Sequence, residues 1–303
     1  MTPGLASSTG RLRIVDPYAG PGVYRKAQLH CHTARSDGHL PPQALLERYR
    51  DAGYEAVVIT DHDTVTACDD LNDGTFLALP GVETTIPRPF RPLGPHLGRL
   101  GSPGPLHLRT AQACIDATVA AGGVVCLHHP SWTGNLGTGG WSLREMLRLR
   151  GYHLVEICNH HSRTEEDVRR WAAVARARGP GAPVGASAGD DLHRESDFNQ
   201  AWVMVKTQAL TADAVLAALR GLSFYASAGP VAEFGAEGGG IRCVTDAAGI
   251  RFVDARGVAR YGGRGPEAVY VPEGDEEFVR VECLRADGRP AAWSQAFWVL
   301  REG

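Results

Sequence analysis

The chain has 303 residues, 43% of them apolar and 21% charged, enough for one large core or a core with a small satellite domain. A formal net charge of -3 excludes the broad basic field that draws in nucleic acid without sequence preference, and no run of about 18 apolar residues is present to span a bilayer. The opening MTPGLASSTGRLRIVDPYAG lacks the apolar stretch of a secretory signal, so the expected location is cytoplasmic, and the seven cysteines, mostly inside apolar runs, read as reduced thiols.

Along the chain, short apolar runs alternate with helical patterns. KAQLH precedes PPQALLERYRDAG, where Pro41 and Pro42 fit a helix start and Gly53 a stop. EAVVIT runs into a loop, LRTAQACIDATVAAG leads to GGVVCL, and LVEIC precedes TEEDVRRWAAVARARG. PVGASA follows, then WVMVK before TADAVLAALRG, with Thr164 and Thr211 as expected N-caps. Strand, helix, strand in repetition argues for a parallel sheet or barrel of the α/β class. After Gly229-Pro230 the helical periods vanish, and turns separate β-rich pieces such as IRCVT, IRFVDA, AVYVP, FVRVECL and AFWVL, with ADGR at 286–289 as a hairpin turn. The expected division is an N-terminal extension over 1–25, an α/β unit over 26–231, and a small all-β, sandwich-like domain over 232–303.

All twelve histidines lie between His30 and His193. Alternate residues of a strand share a face, so His30 and His32 at the end of KAQLH can aim two imidazoles at one point. The pattern recurs. EAVVIT runs into Asp61-His62-Asp63, GGVVCL into His128-His129-Pro130, and PVGASAGD into Asp191-Leu192-His193. Loops converge at the carboxyl ends of strands in barrels and open parallel sheets, and a scatter of surface histidines would not choose that edge four times. Histidine with carboxylate suits zinc, manganese or iron, and there are more candidate ligands than one ion needs. Two or three ions are expected, an arrangement that suits a phosphate ester.

These segments resemble a known family, the polymerase and histidinol phosphatase (PHP) domains. LHCHTARSDG is similar to its first motif, VVITDHDTV to its TDHD, LPGVET to the segment of a bridging glutamate, HLGRLG to the next histidine motif, LHHP to its AHP, and GDDLH to its closing SDxH. The resemblance implies a distorted (β/α)7 barrel of the PHP type with a two- or three-metal site. Carried over, His30, His32, Glu83 and Asp191 would hold one metal, Glu83, His96 and His129 a second, and Asp37, His62 and His193 a third. His96 competes with His107 for its position, and the histidine directly before proline selects His129 over His128. GDDLH departs from the pattern at Asp190.

The expected function is a metal-dependent phosphoesterase acting on a phosphate monoester of a small metabolite or nucleotide, with a metal-bridging hydroxide attacking phosphorus in line. Arg35, Arg163 and His161 are candidate substrate contacts, since a guanidinium fork suits a phosphate. Asp63 and His161 are positional candidates for the general acid, and Trp132 is a candidate surface for stacking a base or ring, or a packed rim residue. Alternatives are an exonuclease or phosphodiesterase on short oligonucleotides, an amide or ester hydrolase, and a non-catalytic metal-containing binding module. No membrane partner is expected.

Overall fold

Runs such as AVVI and VVCL carry no polar alternation, and strands of that kind are stable where both faces are covered. In the structure, a computed structural model that describes residues 11–88 and 93–302, they become fully buried inner strands of a mixed α/β fold with a C-terminal strand-rich region. The elements are β1 (Leu12–Val15), β2 (Val23–Gln28), α1 (Pro42–Asp51), β3 (Ala56–Ile59), β4 (Leu77–Thr85), β5 (His96–Leu100), α2 (Ala111–Ala120) and β6 (Val124–Leu127). There follow α3 (Gly134–Gly137), α4 (Leu143–Arg148), β7 (Leu154–Cys158), α5 (Thr164–Arg178), β8 (Gly185–Ala188), β9 (Trp202–Thr207), α6 (Ala212–Arg220) and β10 (Phe224–Ser227). The strand-rich region comprises β11 (Ala232–Glu237), β12 (Gly240–Thr245), β13 (Gly249–Asp254), β14 (Ala259–Arg264), β15 (Glu267–Tyr270), β16 (Phe278–Leu284), β17 (Pro290–Trp293) and β18 (Phe297–Arg301). No helix among the described residues is long and apolar enough to cross a membrane.

The helix signals act as local chemistry dictates. α1 begins on Pro42 and buries Leu45, Leu46 and Tyr49, while Gly53 takes a left-handed φ of 79° just past its end. The Thr211 side chain accepts from Ala214 N and caps α6. Thr164, by contrast, is the first helical residue of α5, and Arg163 occupies the cap position without a side-chain bond. Its backbone N–H is taken by the Ser131 hydroxyl at 2.8 Å instead.

The hydrogen-bonded order is β1-β18-β16-β17-β10-β9-β2-β3-β4-β5-β6-β7-β8. β2, β3 and β4 are parallel, as are β6, β7 and β8, but β5 runs antiparallel to both of its neighbours. The parallel direction expected for the sheet or barrel is corrected here and at β9, which runs antiparallel to β2 and β10. Residues 86–95 contain no crossover helix among the described positions, and a short connection returns a strand antiparallel.

No backbone ladder joins β8 to the strands beyond it among the described residues. Two buried glutamines span that seam. The Gln295 side chain accepts from Ala186 N at 2.8 Å and donates to Ala186 O at 2.9 Å, so an amide from the C-terminal region takes the place of a neighbouring strand on β8. Gln28 Oε1 accepts from the backbone N–H groups of Leu29, His30 and Asp190 at 3.0–3.1 Å, and its Nε2 donates to Ala201 O.

The C-terminal region is continuous with the rest of the sheet, because β10 pairs with β17. β11, β12 and β15 form a second sheet, and Phe234, Ile241, Phe252, Val281 and Phe297 share one apolar cluster between the layers with Tyr18 and Tyr225. Within the segment expected as an extension, Leu12–Val15 pairs with β18, whereas residues 1–10 lie outside the described residues. The 286–289 turn joins β16 to β17, with Gly288 at a φ of 81°.

Replacing Gln295 with Leu leaves a buried N–H and a buried C=O on Ala186 without partners. The expected loss is about 2–4 kcal/mol of unfolding free energy, read from urea denaturation. A change below about 0.5 kcal/mol would show that solvent satisfies this edge.

Candidate metal centre

Strand ends from the whole α/β part deliver polar side chains to one edge. His30 and His32 follow β2, His62 follows β3, Glu83 lies in β4, His128 and His129 follow β6, Glu156 lies in β7, and Asp191 and His193 follow β8. His96 opens β5, opposite Thr85 of β4; because β5 runs the other way, its first residue rather than its last sits at this edge. Isolated bridges tie Cys31 to Leu192 and His62 to Glu83, which hold the loops together beyond the strands proper.

Glu83, wholly buried, is the hub. Its Oε1 lies 2.8 Å from His128 Nδ1 and 3.2 Å from His30 Nε2, His96 Nδ1 and His129 Nε2. Its Oε2 lies 3.3 Å from His32 Nε2 and 3.4 Å from His62 Nδ1. Asp191 Oδ1 is 3.2 Å from both His30 Nε2 and His32 Nε2, and these two nitrogens face each other at 3.3 Å. Farther out, Asp37 Oδ2 is 3.4 Å from His62 Nε2 and 3.3 Å from His193 Nε2.

These separations fit cations. Four ligand atoms placed tetrahedrally at about 2.0–2.1 Å from one ion stand about 3.3–3.4 Å apart; His30 Nε2, His32 Nε2 and Asp191 Oδ1 are mutually spaced at 3.2–3.3 Å, with Glu83 Oε1 3.2 Å from the first nitrogen and Glu83 Oε2 3.3 Å from the second. Among the buried polar atoms without a hydrogen-bond partner are Glu83 Oε2, Asp191 Oδ1, His62 Nδ1 and His96 Nδ1, all directed into this cluster. Unpaired buried acceptors of this kind are costly unless a cation meets them. Five ligand groupings emerge among the described residues: His30, His32, Glu83 and Asp191; His62, Glu83 and His96; His32, Asp37, His62 and His193; and, toward the rim, His161, Asp191 and His193, and His160, His161 and Asp197. His129 joins the second through Glu83 Oε1.

The electrostatics agree. Burial alone would lower the His30 pKa, but Asp191, Glu83 and Glu156 together hold it well above its ordinary value. Burial would raise Glu83, yet His96, His30 and the hydrogen-bonding His128 and His129 keep it well below the usual carboxylate range. His128 behaves oppositely, because burial and then the neighbouring His30 pull it down to about 4. It is a neutral ring that stacks on His30 with centroids 3.7 Å apart and donates from Nδ1 to Glu83.

A supporting layer fixes these groups. Glu156 Oε1 lies 3.0 Å from His30 Nδ1, which orients the ring and leaves Nε2 for the cluster; its Oε2 accepts from His129 N and Asn159 Nδ2. Asn159 Nδ2 also donates to Asp191 Oδ2 at 3.2 Å. Buried Asp61 accepts from Thr33 N and from the hydroxyls of Thr33, Ser36 and Thr66, pinning the loop that carries Asp37. Gly189 is required where it stands, since a Cβ would meet His30 Cβ at 2.6 Å and Glu156 Oε1 at 2.8 Å. His129 and Asp191 adopt positive φ values of 27° and 50°, strain of about 1–3 kcal/mol each that the surrounding bonds must hold.

The cluster opens into a cavity of about 820 Å³. It is lined by Asp37, His62, Glu83, His96, His129, Asp191 and His193, and also by His161 and Trp132. Of the other residues expected at the site, Arg35 lines a separate cavity of about 790 Å³, and neither Arg163 nor the exposed Asp63 lines the first. The arginine that does so is Arg194, which the sequence reading passed over although it directly follows His193. Glu156 was also missed; a single acid inside the apolar LVEIC was the available signal.

No protein-family model matches the sequence, and no curated protein matches it. Among solved structures, the chain is similar to a two-domain protein from Bacteroides vulgatus described as containing a predicted PHP-like metal-dependent phosphoesterase. The TM-score is 0.54 at 14% identity, over 97% of this chain and 100% of that one. The two share a fold. Weaker likenesses extend to an amidohydrolase from Chromobacterium violaceum (TM-score 0.43, 17% identity, 56% of this chain and 89% of that one) and to PsfC from Pseudomonas syringae (TM-score 0.46, 14% identity, 65% and 87%).

Two outcomes are expected. Glu156→Gln removes the carboxylate behind His30 and should weaken metal binding about 10–100-fold, measured by chelator competition; unchanged affinity would mean that His30 needs no such support. Asp167, buried against the Ser131 hydroxyl, has its pKa raised by burial to about 6. A raised carboxylate favours folding in its neutral form, so its contribution falls as pH climbs from about 4 to about 6. Asp167→Asn should abolish that decline, worth up to about 3 kcal/mol, and denaturation curves at pH 4, 6 and 8 would expose a parallel slope if the assignment were wrong.

Proposed function

We propose that this chain is a metal-dependent phosphoric ester hydrolase on a distorted barrel of the PHP type, cleaving the monoester of a small phosphorylated metabolite or nucleotide. The observation that carries the reading is the spacing around Glu83, which fits two or three closely set divalent cations such as zinc, manganese or iron. Such ions, when bound, supply Lewis acidity at the phosphoryl oxygens and make water acidic enough to attack near neutral pH. The likeness to the Bacteroides protein supports the fold on which this reading rests.

The chain's own groups divide the remaining work. His30, His32, Glu83 and Asp191 would hold one ion, Glu83, His96 and His129 a second, and Asp37, His62 and His193 a third. Arg194, on the cavity lining, would grip the nonbridging phosphate oxygens with a fixed charge and a planar fork. His161, on the same lining with Asp197 behind it at 4.0 Å, would give a proton to the departing alcohol.

Element-resolved metal analysis combined with a screen of phosphate release from phosphorylated compounds tests this. His30→Ala and Asp191→Ala should each remove most of the bound metal and lower turnover by at least about 100-fold. Wild-type turnover in either variant, or less than one ion per chain in the parent protein, would overturn the assignment. Arg194→Ala should raise KM for phosphate esters about tenfold or more with metal content unchanged.

A further inference from the structure

One wall of the cavity is not explained by ions or by phosphate. Trp132 and Leu93 line it beside His96 and His129, with the Trp132 ring 5.1 Å and 4.9 Å from those two imidazoles, centroid to centroid. Leu93 is 47% exposed, an apolar side chain left facing open space in an otherwise polar site.

The wall is built rather than incidental. After Trp132 the chain makes the single left-handed turn of α3, in which Asn135 and Leu136 both take positive φ. That turn folds Gly134 and Gly139 against the indole, and at either position a Cβ would land on Trp132 ring atoms. Asn135 Nδ2 donates to Gly94 O at 3.0 Å and meets His96 Nε2 at 3.2 Å, while the Thr138 hydroxyl donates to Leu93 O at 2.8 Å. Arg88 donates to the backbone oxygens of Thr138 and Gly140 from outside. The indole is therefore held in place and, half-buried, still lines the cavity. A ring immobilised before binding loses little freedom when a second flat ring stacks on it.

We infer that Trp132, backed by Leu93, seats a flat aromatic ring in the leaving alcohol, so that the substrates are phosphate esters of ring-bearing alcohols and not of simple aliphatic ones. This rests on the phosphoesterase reading above. Trp132 is a specificity-determining residue here, and a ring seated on it would lie beside the metal ligands His96 and His129.

The test uses matched probes: benzyl phosphate against cyclohexylmethyl phosphate, alike in size and in the acidity of the alcohol but flat in one case and puckered in the other. With the metal-loaded full chain, KM for benzyl phosphate should be at least about tenfold lower than for its saturated counterpart. Trp132→Ala should erase that preference, Trp132→Phe should keep most of it, and Gly134→Ala, which pushes a methyl into the indole, should reduce it. Calorimetric binding of benzylphosphonate and cyclohexylmethylphosphonate gives a readout independent of turnover. Equal affinity for the two phosphonates, or a preference that survives Trp132→Ala, overturns the inference. A Trp132-dependent preference in binding without any release of phosphate supports the aromatic wall and removes the phosphoesterase reading instead.

Discussion

The structure is organised around a charge problem. Glu83, Asp191 and Glu156 are all buried within one pocket, and a carboxylate taken from water without compensation destabilises the fold by several kcal/mol. Six imidazoles surround Glu83 alone, those of His30, His32, His62, His96, His128 and His129. The buried carboxylates hold the His30 pKa well above its ordinary value, so the pocket offsets their charge by binding protons, a role that bound cations would take over. The Nε2 atoms of His30 and His32 face each other at 3.3 Å, a separation ordinary for two ligands of one ion.

Holding so many polar groups at one edge requires a frame that does not give. The apolar strands supply most of it, but the seam beside β8 is spanned by side-chain amides. Gln28 gathers the N–H groups of Leu29, His30 and Asp190, so it joins the loop bearing the first two histidines to the loop bearing Asp191. Gln295 reaches the same strand from the C-terminal β region, where its own N–H is taken by the Tyr18 hydroxyl. The β region is thus part of the scaffold behind the site, since it pairs on β10 and covers the open edge of β8.

Much of the site was visible before the fold. The rule that ligands collect at the carboxyl ends of parallel strands brought His30, His32, His62, the His128-His129 pair, Asp191 and His193 to one edge without coordinates, while the motif likeness chose His129 and supplied Asp37 and Glu83. It could not place His96, because β5 is antiparallel and presents its amino end at that edge; only the motif likeness pointed there. Glu156 escaped because it sits in mid-strand, and Asp61, adjacent to a ligand, turned out to hold a loop. Choosing arginines by nearness to motifs pointed to Arg35 and Arg163. Which guanidinium faces the cavity depends on how each loop leaves its strand, and there Arg194 lines the opening.

By itself the sequence determined what is local or periodic: buried strands from unbroken apolar runs, helix starts from proline and threonine, a strand-rich tail, and a set of histidines and acids at repeated strand ends. Those features rest on backbone sterics and on burial of apolar surface, which short stretches encode. Tertiary structure alone decided the quantities that depend on long-range geometry. These are the 3.2–3.3 Å spacing that gathers scattered histidines and acids into candidate cation sites, the reversed direction of β5, the glutamine-spanned seam, and the clamped indole on the cavity wall. Each depends on segments tens of residues apart meeting within a few tenths of an ångström, and that precision is set by packing of the whole core.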